Sequence, residues 1–444
     1  MSLIGEPMSP RRSNGVLNLP RITRSRAVIL SFLCGLCPVA TQASGGTPTV
    51  VKIQRDETGY HLLRDGTPYV IKGGGGRVYL EALKEAGGNS LRTWGEDDLE
   101  PLLDRAQELG LTVTVGIWLG QERQGFNYSD AGSVRREVEK ARAFFRRYRR
   151  HPALLMWGLG NEMEGSGDNP VIWRTVNEIA RVAKSEDPHH PTMTVIAEAG
   201  GRKIAQFKSL CPDVDVLGIN SYGGLSTLPK RLVDAGLDRP YIITEFGPAG
   251  PWEVRKTKWG APVEPSSTEK ARTYLGHHSG SVAAQRGRCL GSYAFLWGHK
   301  QEATATWFGM FLPSGERLGA VDAMTFAWTD RWPANRAPEL NAFTTEARES
   351  ELAPGTRFAA RLDVTDPEGD PLVVRWEVRS ESTDRRQGGD RETEPLAHPE
   401  CFVEANGLSA TFRAATRAGA YRIFAYVYDG KGGAACANVP FAVR

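Results

Sequence analysis

The sequence predicts an α/β protein built as a (β/α)8 barrel followed by a small C-terminal β-sandwich of Ig-like type. Three observations carry this. Between Pro68 and Trp332, eight short apolar runs alternate with amphipathic segments. Short apolar runs of this kind suit parallel strands buried on both faces, and eight strand–helix units fit the ~250 residues of such a barrel. Two of the runs end on a glutamate, Glu162 and Glu245. After Pro333 the pattern changes to strict apolar–polar alternation broken by turn signals, which is the pattern of half-buried antiparallel strands. A doubly wound sheet is the competing fold; the count of eight and the two strand-end carboxylates favour the barrel.

The elements follow in order. Arg21, Arg24 and Arg26 precede the apolar run Ala27–Ala40, and the small residues of Thr41-Gln42-Ala43 come next. This reads as a signal peptide over residues 1–43, and predicts a secreted or periplasmic protein with no stable membrane insertion after cleavage, since the run is too short to span a bilayer. Cleavage or retention as an anchor stays open. Val50–Leu63, with Gly59 inside it, predicts a hairpin closing the barrel bottom. The catalytic barrel is placed at 50–332. Its strands are expected at Tyr69–Lys72, Ser90–Trp94, Leu111–Trp118, Leu154–Gly160, Thr192–Ala197, Val216–Asn220, Tyr241–Thr244 and Gly291–Trp297. Helical periodicity marks Leu99–Leu109, Val134–Tyr148, Val171–Ser185 and Thr268–Gln285. A linker is placed at 333–340 and the sandwich at 341–444, with strands at Phe358–Val364, Leu372–Val378, Leu408–Phe412 and Tyr421–Tyr428. Ser380–Glu394 is charged and poor in apolar residues, and is expected to be a long mobile loop.

The 444 residues are too many for one small core. A net charge of +3 and the lack of an arginine–aromatic stripe exclude a nucleic-acid partner. The basic cluster Arg142–Arg150 reads as a solvated helix end rather than a polyanion site. Cys34 and Cys37 fall inside the targeting segment; of the remaining cysteines, Cys401 and Cys436 could bridge the sandwich, and Cys211 and Cys289 read as buried thiols. No cysteine–histidine spacing indicates a metal, and His189-His190 and His277-His278 are read as structural. The acids Asp363, Asp366, Glu368, Asp370 and Asp429 read as solvated turn residues, with calcium as the alternative. Gly73–Gly76 lacks the Gly-Lys-Ser/Thr ending of a phosphate loop and is expected to form a tight turn after the first strand.

Catalytic groups of such barrels gather at the C-terminal ends of the strands. Read this way, one face collects Arg92 after strand two, Trp118 after strand three, and Asn161 and Glu162 after strand four. It also collects Tyr222 after strand six, Glu245 after strand seven and Trp297 after strand eight. Glu164 reads as a loop charge. The polar and aromatic stretch His299–Trp307 is read either as a substrate-contacting loop or as plain surface.

On Trp157-Gly-Leu-Gly-Asn-Glu162 and Ile243-Thr-Glu-Phe-Gly247 the chain resembles the retaining (β/α)8 glycoside hydrolases of clan A, which include families 2 and 5. The resemblance covers about residues 68–310. It implies that Glu162 is the acid/base and Glu245 the nucleophile, that Arg92 and Tyr222 attend the nucleophile, and that Asn161 bonds the sugar 2-hydroxyl. It also implies that Trp297 floors the sugar at the cleavage point; Trp118 is expected to be a platform for its neighbour. Asn220 stands where the clan often has a histidine. The expected activity is hydrolysis of a β-linked oligo- or polysaccharide by double displacement, with the two carboxyl groups about 5–5.5 Å apart, and with no cofactor or metal. The alternatives are transglycosylation with the same two glutamates and a non-catalytic glycan-binding protein. Sugar, linkage and oligomeric state stay open.

Overall fold

The structure is a computed structural model and describes residues 49–444. The targeting segment and the Cys34–Cys37 pair lie outside the described residues. The chain opens with β1 (Val51–Asp56), β2 (Gly59–Arg64) and β3 (Thr67–Pro68), an antiparallel hairpin with a short third strand. It closes the N-terminal end of a barrel, where Val51 and Leu62 join a core cluster with Ile71, Leu155, Met156 and Met193. Backbone bonds from Val51 N to His189 O (2.8 Å) and from Tyr60 N to Gly287 O (2.7 Å) fix it there.

The barrel strands are β4 (Ile71–Gly75), β5 (Ser90–Arg92), β6 (Thr112–Ile117), β7 (Leu154–Asn161), β8 (Thr192–Ala197), β9 (Val216–Asn220), β10 (Tyr241–Phe246) and β11 (Cys289–Ala294). They pair in parallel, in chain order, and β11 returns to β4 to close the ring. The helices between them are α1 (Leu80–Glu85), α2 (Leu99–Glu108), α3 (Ala131–Tyr148), α4 (Pro170–Glu186), α5 (Lys203–Leu210), α6 (Leu228–Asp234), α7 (Ser267–Ser281) and α8 (Gly319–Thr329). Their starts obey ordinary capping chemistry: Asp130 caps α3, Asn169 with Pro170 opens α4, and Ser266 with Glu269 forms a reciprocal capping box on α7. The basic cluster of α3 turns on one acid, with Arg142 and Arg146 both donating to Glu186.

The four glycines at 73–76 do not form a turn. Gly73–Gly75 lie within β4, and a Cβ added to Gly73 would sit 2.2 Å from the Tyr293 ring. One added to Gly74 would sit 2.7 Å from Trp297 Cβ. Bare backbone lets two aromatic side chains pack flat on the strand.

With β12 (Arg317–Leu318) the chain turns to two further sheets, one antiparallel and one mixed, in which β12 and β14 pair in parallel with β20. Their strands are β13 (Glu339–Thr345), β14 (Glu351–Leu352), β15 (Arg357–Thr365), β16 (Val373–Ser380), β17 (Phe402–Asn406), β18 (Ser409–Arg413), β19 (Gly419–Tyr428) and β20 (Gly433–Val443). One sheet runs β12-β20-β19-β16 with β14 also on β20, and the other runs β13-β15-β18-β17. Alternate residues such as Phe358, Ala360 and Leu362 face the core between them. β12 belongs to the chain segment before α8, so the sandwich sheet is completed by a strand on the barrel side of the linker.

Cys401 and Cys436 are not bridged; all four described cysteines are free and buried. Cys401 points into the sandwich core, while Cys436 belongs to a separate cluster with Leu312 and Leu318, on the other side of β20. In the acidic turn Asp366 Oδ1 accepts from the backbone of Glu368 and Asp370, and Asp429 accepts from Lys431 and Gly433. Among the described residues no helix is long and apolar enough to cross a membrane.

Candidate active site

Glu245 lies near the end of β10 and is 5% exposed. Three donors from two other strand ends, those of β5 and β9, converge on it. Arg92 Nη1 reaches Oε1 at 2.8 Å, Trp94 Nε1 reaches the same oxygen at 2.7 Å, and the Tyr222 hydroxyl reaches Oε2 at 2.7 Å. Arg92, itself 2% exposed, also donates to Thr244 O (3.0 Å). A buried guanidinium with its donors spent on a carboxylate and a carbonyl is rigid and satisfied.

Glu162 follows β7 directly. The strand leaves the barrel through Gly160 at φ +72°, where a Cβ would fall 2.4 Å from Met163 Sδ. Glu162 itself has φ +50°, a left-handed conformation that costs a non-glycine residue about 1–3 kcal/mol and is tolerated chiefly at functional sites. Its Oε1 accepts from Asn220 Nδ2 at 2.6 Å. Asn161 stands between the two acids: its Oδ1 accepts from Arg92 Nη2 (2.6 Å) and Asn220 Nδ2 (3.2 Å). One hydrogen-bonded chain thus runs Glu245–Arg92–Asn161–Asn220–Glu162. Asn161 Oδ1 is thus committed to two donors, and the residue lines the cleft described below.

The two acids sit in unlike surroundings. Burial, and then the nearby Glu245 carboxylate, push Glu162 up to about 7, and the Asn220 bond only partly opposes this. The Tyr222 hydroxyl is raised well above its ordinary value by burial and by Glu245, so it stays a donor. Glu164 is not a loop charge. It is 6% exposed, accepts from Ala197 N (2.9 Å) and pairs with Lys203 (2.8 Å), and so braces the turn behind Glu162.

The two acids open into a cleft of about 890 Å³. Trp118 lines it, as do Trp94, Phe295 and Trp252, the last 58% exposed on the loop after β10. Trp297 does not. It is 0% exposed, donates to Tyr79 O (3.0 Å) and packs on Phe311 and Trp328. β11 ends at Ala294, three residues sooner than the sequence suggested, so Phe295 takes the place at the cleft and Trp297 falls behind β4. The stretch after β11 contributes Lys300 and Glu302, paired at 2.8 Å, to the lining. Burial raises the Glu302 carboxyl.

Trp94, Asn220, Phe295 and Trp252 were not among the expected site residues, whereas Lys300 and Glu302 belong to the stretch read either as a substrate-contacting loop or as plain surface. Trp94 and Asn220 stand at the ends of strands already read as site-forming, and that position was the available signal. The opposite wall comes from the sandwich: residues 385–390 and Glu392 line the cleft. Among the described residues no cluster of His, Cys, Asp and Glu could hold a metal. His190 is bonded to Asp187 (2.8 Å) at the barrel bottom, and burial lowers His278 to about 4.

Residues 80–251 match the family model for glycosyl hydrolases family 2, TIM barrel domain. The match spans the barrel from α1 to just beyond β10. A β-glucuronidase of Bacteroides fragilis is 42% identical over 55 residues, which cover 12% of this chain and 8% of that protein. The β-D-glucuronidase structure from Dictyoglomus thermophilum superposes with a TM-score of 0.51 at 17% identity, over 64% of this chain and 54% of that one. A Ruminococcus gnavus β-glucuronidase gives 0.50 at 18% identity, over 64% and 53%. The likeness to these structures is one of fold, and the chain spans about half of their length. Within that matched region Glu162 and Glu245 are tied together through Arg92, Asn161 and Asn220.

Proposed function

We propose that this chain is an exported retaining β-glycosidase that hydrolyses β-linked oligo- or polysaccharide. The observation that carries this reading is the unequal setting of the two acids. Glu245 receives three hydrogen bonds at 2.7–2.8 Å, whereas Glu162 has one such bond and is raised to about 7 by burial and by its neighbour. Environments that push two acids apart assign one as the proton donor.

In the first step Glu162 gives its proton to the glycosidic oxygen while a Glu245 oxygen attacks the anomeric carbon. The bond to the leaving group breaks, the leaving group departs as an alcohol, and an ester to Glu245 remains. Esterification removes the charge of Glu245, which is one cause of the raised Glu162 value, so Glu162 becomes the stronger acid and remains ionised. It then takes a proton from water as the water oxygen attacks the same carbon and releases Glu245. The Asn161 amide donates to the 2-hydroxyl, and Trp118 and Trp252 offer faces for sugar rings. Export rests on the arginine, apolar and small-residue pattern of residues 21–43.

The test is a panel of aryl β-glycosides, including glucoside, mannoside, galactoside and glucuronide, with NMR of the first-formed anomer. A 2-deoxy-2-fluoro analogue of the substrate should label Glu245. Release of the inverted anomer, or labelling elsewhere, would sink the double-displacement reading.

A further inference from the structure

The cleft wall opposite the barrel aromatics belongs to the sandwich. The segment Glu381–Glu392, leaving β16, crosses the C-terminal face of the barrel and is tied down at several points. Arg123, on the loop after β6, donates to Asp390 Oδ2 (2.7 Å) and Gln387 O (3.0 Å), and Gln124 reaches Asp390 Oδ1 (3.1 Å). Lys300 Nζ, after β11, donates to Gly389 O at 2.7 Å, and Ala303 N to Glu392 Oε2 at 2.7 Å. Gly388 and Gly389 have φ of +60° and +75°, and a Cβ on either would lie within 2.6 and 2.8 Å of Arg123 Nη2 and Lys300 Nζ. The glycine pair is what lets the segment settle onto two cationic side chains. The expectation of a mobile loop is corrected: Asp390 and Glu392 are spent on contacts with the barrel, and Glu381 on Arg422.

The root of the segment is held from below. Arg422 of β19 is 1% exposed and grips Glu381 with two bonds, at 2.9 and 3.0 Å. The same guanidinium donates to Asn438 Oδ1 (2.6 Å) and to Pro262 O of the barrel loop after β10 (2.8 Å). Asn438 in turn donates to Glu264 (2.6 Å), whose other partners are Lys270, Thr304 and Thr306. A buried network satisfied on every side fixes one geometry, since each group is costly to leave unpaired.

We propose that the segment Glu381–Glu392 is a specificity-determining wall of the substrate cleft, that Arg422 is the positioning residue that sets it, and that the wall contacts sugars beyond the one at the cleavage point. This rests on the glycosidase reading and deepens it: the preferred substrate is a β-linked oligosaccharide, not a glycoside of a small alcohol. Arg385 and Arg386 line the cleft with their guanidinium groups only partly engaged, by Glu381 (3.0 Å) and Asp384 (2.6 Å), and face ring and exocyclic hydroxyls there.

The experiment compares kcat/KM of the full chain on an aryl β-glycoside and on a tetrasaccharide of the same sugar (cello-, laminari- or mannotetraose). Arg386→Ala and Arg422→Met should lower the tetrasaccharide value about tenfold more than the aryl value, through KM, as the loss of one hydrogen bond to a charged group predicts. Arg422→Lys should recover part of the difference. Equal falls on both substrates, or no fall, would overturn the proposal. Calorimetric titration of the three tetraoses into Glu245→Gln and Glu245→Gln/Arg386→Ala separates this from the parent reading. If the wild type hydrolyses nothing but the double variant binds about tenfold more weakly, the glycosidase reading fails and the wall stands. If neither variant binds any tetraose, the wall fails.

Discussion

Glu162 holds two costs at once, a left-handed backbone and a buried carboxyl raised to about 7. Both bear on what its substitutions do. The alkaline limb of kcat/KM against pH should fall near 7 as Glu162 loses the proton it must donate. Asn220→Ala removes a donor that favours the ionised form, so that limb should move to higher pH; a downward move, read from the same profile, would contradict the Asn220 contact. Stability follows with a definite sign. A carboxyl whose value is raised from 4.5 in the folded chain favours folding less as pH rises through that range, and the loss is complete above about 7. Glu162→Gln should therefore raise the melting temperature relative to wild type at pH 8 and not at pH 4. In catalysis, Glu162→Ala should cost about 10²–10⁴ in kcat on glycosides with poor leaving groups and far less on dinitrophenyl glycosides, which leave unprotonated. At this scale the sequence was informative where a residue type coincided with a strand end. Arg92, Asn161, Tyr222 and both glutamates meet in one hydrogen-bonded set. Trp297 misled because two aromatics stand two apart at the end of β11, and only the tertiary path shows which one meets the cleft.

The barrel strands reveal themselves through runs of apolar residues, because a strand buried on both faces has no polar face to interrupt it. β4 is the exception. Its three consecutive glycines look like a turn when read locally, since no local signal reports that Tyr293 and Trp297 need the space a side chain would take. Gly74→Ala should lower the melting temperature and lower kcat/KM together, because Trp297 can yield only by moving the segment that carries Phe295. Gly160→Ala combines a positive φ with a clash on Met163 and should cost about 1–3 kcal/mol by urea denaturation. Four sandwich strands, β15, β16, β18 and β19, were legible from alternation; β13, which begins inside the expected linker, β14, β17 and β20 were not, and β20 is buried along its whole length and so shows no alternation. The position of the segment after β16 was not, because its anchors, Arg123 and Lys300, lie far away in sequence and any charged segment of that composition reads as solvated.

Across the whole molecule the barrel and sandwich share polar core as well as surface. Glu264, 6% exposed, is carried below its ordinary value against the penalty of burial by Lys270 and Arg422. Lys270→Met would strand that carboxylate, and should destabilise by about 3–5 kcal/mol, the usual cost of breaking a buried pair from one side. Calorimetry of the wild type should give one cooperative transition covering both parts, since β12 and β20 form a single sheet across the linker; two resolved transitions would show that the shared network is weaker than its geometry implies.

The seating of Gly388 and Gly389 on Arg123 and Lys300 has a consequence for how the cleft could change its shape. The sandwich residues that line the cleft stand on a segment that contributes nothing to the barrel's strand register and carries neither acid. Drift between Arg385 and Gln387 can reshape the cleft while the reacting groups stay where they are, whereas the glycine pair and its two cationic seats form a hinge point that drift must leave alone. On this wall, change is thus open to a few adjacent codons, bounded by Glu381 on Arg422 at one end and by the glycine pair at the other.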